Sequence, residues 1–126
     1  FRALRLWFMF KLRGVDTYRR AIADNIATRE YLDARIREEA ELELLSSDLS
    51  ISCFRYRPPG ADEATLDRIN RAIQRELMAT GSIILSPTTL DGRYSLRICI
   101  VNFRAGREDM DWLVEQVLHF GRSCSQ

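Results

Sequence analysis

The spacing of apolar residues along this chain switches between two periods, and that switching limits the fold more than any other feature. From Arg93 to Val101 the side chains alternate: Tyr94, Leu96, Ile98 and Ile100 fall on one face. Arg93, Ser95, Arg97, Cys99 and Val101 fall on the other, so only the first set suits a core covered by helices. Helical stripes lie on either side of this strand. Leu66, Ile69, Ile73 and Leu77 follow a capping Asp62 and stop at Gly81, while Met110, Leu113, Val114 and Val117 share a face from about Arg107 to Phe120.

Period two returns at Glu41-Leu42-Glu43-Leu44 and again from Ser50 to Arg57, with Ile51, Cys53, Phe54 and Tyr56. Ser46, Ser47 and Asp48 between them read as the turn of a hairpin. Arg57-Pro58-Pro59-Gly60 is a firm break, Ser82 to Ser86 a short apolar strand, and Pro87 to Gly92 a loop. Val15 to about Ala40 reads as one long helix that Asp16 can cap, with Tyr18, Ile22, Ile26 and Ile36 near one face. Arg29, Asp33, Arg35, Arg37, Glu38 and Glu39 form its solvated charged side, with helix-spaced ion pairs. The order of elements predicts an α+β layer: a small antiparallel or mixed sheet of about four strands covered by helices on one face. No internal repeat is evident, and no second domain is seen.

The first segment, Arg2 to Arg13, ends at the natural stop Gly14 and is apolar on almost every side. Leu4, Leu6, Trp7, Phe8, Met9, Phe10 and Leu12 must therefore be buried within this chain, on protein outside it, or on a partner subunit. Arg2, Arg5, Lys11 and Arg13 keep the run below membrane-spanning length, and no small-residue cleavage site follows it. No membrane is expected as a partner. Opening on Phe1, the chain reads as starting at a cleavage site or at the edge of a longer sequence.

The composition suits one globular domain: 126 residues, 46% hydrophobic and 29% charged. With 19 basic against 18 acidic residues there is no basic stripe, so no nucleic acid is expected as a partner. Three cysteines without a CxxC spacing fit neither a disulfide framework nor a zinc site, which favours a reducing, cytoplasmic setting. Cys53 and Cys99 read as buried small hydrophobes and Cys124 as a tail residue.

Catalytic constellations are missing. The single histidine, His119, has no partner for a triad, and nothing resembles a glycine-rich phosphate loop. Lys11 is the one lysine, so any Schiff-base chemistry in this chain would have to use it, and its place in an end helix reads as solvated or snorkelling. No catalytic, cofactor-binding or metal-ligating residue is assigned. Arg97 stands out, a guanidinium in mid-strand between Ser95 and Cys99. Its planar fork suits a substrate carboxylate, and a salt bridge to one of the chain's own acids is the structural alternative.

FRALRLWFMFKLRGV at 1–15 resembles the segment that follows the active-site loop in the pyridoxal-phosphate-dependent amino-acid decarboxylases. This group includes aromatic-L-amino-acid, tyrosine, histidine and glutamate decarboxylases. The similarity continues through ISCFR at 51–55, DRIN at 67–70, GRYSLRI at 92–98 and DMDWL at 109–113, and the opening stretch is most like the aromatic branch. The resemblance implies that residues 41–126 are the small C-terminal domain of an aspartate-aminotransferase-type (type I) fold and that residues 1–40 are the helices leading into it. It implies a homodimer, and an amino acid as substrate losing its α-carboxylate from an imine to pyridoxal 5'-phosphate, the electron sink. The family's His-Lys cofactor anchor, pyridine-nitrogen aspartate, stacking histidine and mobile loop have no counterpart in these residues. The chain alone is therefore expected to bind no cofactor and to be inactive, packing on the large cofactor domain and lining one wall of the substrate cleft. Arg97 aligns with a strand arginine that approaches a substrate carboxylate in the glutamate branch, and in the aromatic branch it is expected to be structural or near the site. The alternative is a stand-alone, non-catalytic α+β binding or oligomerisation module, which would leave no apolar helix exposed.

Overall fold

A computed structural model describes residues 1–125. Helices α1 (Ala3–Arg13) and α2 (Val15–Glu38) are followed by strands β1 (Leu42–Asp48) and β2 (Ile51–Tyr56). Then come α3 (Glu63–Ala79), β3 (Ser86–Leu90), β4 (Arg93–Cys99) and α4 (Arg107–Cys124). The four strands form one antiparallel sheet in the order β1-β2-β4-β3, which makes β2 and β4 the central pair. The α+β architecture is the one read from the sequence.

Cross-strand partners share a face, and the register therefore sorts the sheet into two sides. Phe54 pairs Leu96 and Ser52 pairs Ile98, placing these residues with Tyr56 and Tyr94 on the side that carries α3, α4 and the last turns of α2. Leu32, Ile36, Ile69, Ile73, Leu77, Leu113, Val114 and Val117 complete that core. Local signals start and stop these elements. Asp62 accepts the Thr65 N–H at 2.8 Å, so α3 begins where a cap was expected, and the Asp109 carboxylate accepts the Gly106 N–H at the start of α4.

Two strand boundaries differ from the reading of the sequence. Ser46, Ser47 and Asp48 belong to β1, which absorbs one extra residue in a bulge between Leu44 and Ser46. The chain turns at Leu49–Ser50 instead, with Leu49 at φ 47° and its N–H on the Asp48 carboxylate at 2.8 Å. β3 is not Ser82–Ser86 but Ser86–Leu90, and Pro87 is tolerated because β3 is an edge strand. Asp91 and Gly92, both at positive φ (50° and 78°), close the tight β3–β4 hairpin.

Burial corrects three further expectations. Asp33 is not on a solvated face: it is 1% exposed, accepting from Ser52 Oγ at 2.5 Å and from Arg29 at 2.9 Å. Ile22, expected to be on the apolar side of α2, is exposed, as only the C-terminal third of that helix holds fully buried residues. Cys99 is exposed, whereas Cys53 is buried as expected. None of the α1 residues is buried.

Candidate functional site

Arg97 lies on β4, between β2 and β3, opposite Cys53 on one neighbour and Ser86 on the other. Its position differs by one from Leu96 and Ile98, so it projects from the side of the sheet that the helices leave bare. The side chain is exposed and makes no ion pair or hydrogen bond among the described residues. The structure thus provides an unpaired guanidinium at the middle of an open sheet face. Cys53 is buried beside it. Burial pushes that thiol up, with the Arg97 charge pulling the other way, so it stays protonated near neutrality and is no nucleophile.

The sequence pointed to Arg97 as the arginine needing a carboxylate, yet the buried arginine of this face is Arg55. It is 1% exposed, and its Nε donates to Glu43 at 2.6 Å. The rest of the fork is bidentate on Glu63, at 2.6 and 3.2 Å. Arg57 and Arg93 approach the same Glu43 at 3.6 and 3.7 Å. The hydrogen bond from Arg55 lowers the Glu63 carboxyl below its ordinary range, and that pair in turn raises Arg55. This cluster ties β1, β2 and the start of α3 together, leaving the Arg97 end of the face as the free positive charge. ISCFR at 51–55 contained Arg55, and the alternation opposite Glu43 was the signal that could have found it.

A second feature is the apolar surface of α1. Trp7 is 53% exposed and packs edge-on against Phe8 at 5.2 Å. Leu4, Leu6, Met9 and Leu12 are likewise exposed, with Val15 beyond them. Lys11 sits on this helix with its Nζ 5.7 Å from the Trp7 ring centroid. No enclosed pocket surrounds that lysine, and it does not fit the role of a cofactor anchor. His119 is exposed on α4, edge-on to Phe120 at 5.3 Å, with no hydrogen bond from its ring among the described residues. No group of three His, Cys, Asp or Glu side chains among them could hold a metal ion, and no helix is long and apolar enough to cross a membrane.

No protein-family model matches the chain. It is 34% identical over 112 residues to an aromatic-L-amino-acid decarboxylase of Bacillus atrophaeus, covering 87% of this chain and 23% of that protein. Among solved structures, the glutamate decarboxylase domain of a Vibrio parahaemolyticus diaminobutyrate-pyruvate transaminase and L-2,4-diaminobutyrate decarboxylase superposes with a TM-score of 0.81 at 27% identity. That match covers 96% of this chain and 26% of the other. Oryza sativa TDC with PLP superposes at a TM-score of 0.89 over 99% of this chain and 27% of its own, at 22% identity, which shows the shared fold. The chain spans about a quarter of the length of the proteins it matches.

Proposed function

We propose that this chain, a homologue of the C-terminal part of the pyridoxal-phosphate-dependent aromatic amino-acid decarboxylases, is the small domain of such an enzyme and works only within it. Residues 41–126 are that domain and residues 1–40 lead into it. The observation that carries this reading is the apolar surface of α1, which is fully formed as a helix, touches the described residues beyond it mainly where Phe10 meets Tyr18, and buries none of its own residues. Apolar area on this scale stabilises an assembly only when another surface removes it from water. The large cofactor domain, together with a second subunit, is the cover proposed. A free-standing module would not keep seven large apolar side chains of one helix, Leu4, Leu6, Trp7, Phe8, Met9, Phe10 and Leu12, in water.

Pyridoxal phosphate, when bound to the large domain, supplies the electron sink for loss of the α-carboxylate. The present residues do not fit the cofactor, because Lys11 has no pocket around it, so no step of the reaction is assigned to them. What this chain contributes is a wall. Its bare sheet face closes one side of the cleft, with Arg97 the exposed cation there and the Arg55–Glu43–Glu63 cluster holding β1, β2 and α3 in register behind it.

Two proteins test the proposal: the 126-residue chain and the product of the full reading frame that contains it. Supplied with pyridoxal phosphate and L-tryptophan or L-tyrosine, the chain is expected to release no carbon dioxide, and the longer protein to release it. With Trp112 replaced by Phe, acrylamide is expected to quench Trp7 strongly in the chain and weakly in the longer protein. Decarboxylation by the chain alone, or equal quenching in both, would overturn the reading.

A further inference from the structure

On the opposite side of the sheet from Arg97, the outer flank of α3 carries Arg68, Arg71 and Arg75, at the three- and four-residue spacings that place side chains along one strip of a helix. All three are exposed, and none makes an ion pair among the described residues, in a chain where seven other arginines do. They border a shallow hollow of about 510 Å³ together with Asp67, Gln74 and Tyr94. The Arg71 guanidinium lies 4.2 Å above the Tyr94 ring centroid, a stacked arrangement that fixes the plane of its donor fork.

Tyr94 supplies the second observation. It is 5% exposed, and its hydroxyl has no hydrogen-bond partner among the described residues. No fully buried side-chain polar atom lacks a partner there, so the hydroxyl keeps some contact with solvent, and Tyr94 is one of the residues lining the hollow. Burial raises that phenol while Arg71 and Arg75 pull it down, the sign of a positive local field. One carboxylate lines the hollow and opposes the field, Asp67, whose Oδ1 accepts the Tyr94 N–H at 2.9 Å; Asp62, at the start of α3, acts on Arg68 from outside it. Three guanidinium charges against one carboxylate leave a net charge of two, presented with forked N–H donors and a free hydroxyl.

We propose that the hollow between α3 and β4 formed by Arg68, Arg71, Arg75 and Tyr94 is a binding site for a phosphate dianion. A tetrahedral dianion matches the uncompensated charge and takes forked donors on more than one edge. A monocarboxylate would use one fork and leave the rest unpaired. A nucleic acid fits less well, because the strip is only three arginines long and the chain as a whole is close to neutral.

Calorimetric titration of the chain with inorganic phosphate, at about pH 7.5 and fixed ionic strength, tests this. Saturable binding is expected, weakened by about tenfold or more in Arg71→Gln and in Arg75→Gln, and unchanged in Arg37→Gln, an exposed arginine of α2. Tyr94→Phe keeps the ring under Arg71 and is expected to weaken binding less. Titration with O-phosphoserine separates the sources: tighter binding than inorganic phosphate assigns the site to a phosphomonoester, and weaker binding assigns it to the free ion. As a readout that needs no variant, the Nε–Hε resonances of Arg71 and Arg75 are expected to move on phosphate addition while that of Arg37 stays. Equal affinity for phosphate and acetate, resonances of Arg71 and Arg75 that do not move, or equal binding by Arg71→Gln and the parent would overturn the proposal.

Discussion

Replacing Gly121 by Ala is expected to destabilise the domain, although the same change on an exposed helix would stabilise it. Gly121 lies inside α4, three residues before its end, with its backbone against the ring of Tyr56. A Cβ placed there would meet three ring carbons at 2.6–2.7 Å. Carbon atoms rest at roughly 3.5–4.0 Å, so ring and helix would have to part by about 1 Å. Tyr56 has little freedom to give. It is 1% exposed, its hydroxyl donates to Glu41 at 2.7 Å, and its N–H and carbonyl are both held by the side chain of Asn70 at 2.8 Å.

Overpacking of a filled core costs about 1–3 kcal/mol, and displacing the Tyr56–Glu41 hydrogen bond adds about 1 kcal/mol. The Ala helix propensity returns about 1 kcal/mol. The balance is a loss of roughly 1–3 kcal/mol, to be read from urea unfolding as a lower midpoint at unchanged slope. Removing the ring should reverse the sign: in a Tyr56→Ala background, Gly121→Ala is expected to stabilise by about 0.5–1 kcal/mol. A Gly121→Ala variant more stable than the parent would refute the close-approach reasoning.

Two further outcomes concern the charged groups. Arg55→Ala strands Glu43 beside a buried vacancy and is expected to cost roughly 2–3 kcal/mol in urea unfolding, less than a fully buried broken pair because both carboxylates can regain water. Arg55→Met, which fills the volume but restores no pair, should cost distinctly less, and equal losses would show that the lost pairing and not the vacancy sets the effect. For acid stability, Glu41 is held below the ordinary range, first by the hydrogen bond from Arg122 and then by that from Tyr56, and Glu63 by that from Arg55. Their folded-state values lie below the unfolded one. The stabilisation is therefore fully present above the unfolded carboxylate value of about 4.3 and is lost as pH falls through the folded values. Unfolding midpoints should stay flat from neutrality to about pH 5 and drop below that, with a shallower acid limb in Glu41→Gln. An unaltered limb in that variant would remove Glu41 from the account.

Periodicity made the order of the eight elements, the place of every one but β3 and the two faces of β4 legible in the sequence, because burial on one side of a helix or strand writes itself directly into residue spacing. The over-apolar α1 was legible for the same reason. Turn chemistry was less so. Ser46-Ser47-Asp48 has the composition of a turn, yet it pairs with β2, and SPTTL at 86–90 has that of a loop, yet it pairs with β4. Pairing partners decided those boundaries, and partners distant in the chain leave no local mark.

The same limit applies to the charged and small residues. Asp33 sits in a helical charge run that reads as solvated, but Ser52 of β2 and Arg29 close over it. Arg55 and Arg97 are both strand arginines two residues from a cysteine, and nothing local says that the first is locked between Glu43 and Glu63 while the second has no partner among the described residues. The last helix reads as ending near Phe120, whereas α4 runs on to Cys124 through Gly121, whose missing side chain leaves room for the Tyr56 ring. The sequence by itself determined the order of helices and strands and which side of most of them seeks cover. Only the tertiary structure decided which charges are paired, which have no partner among the described residues, and where backbones touch, since those depend on residues brought together across tens of positions.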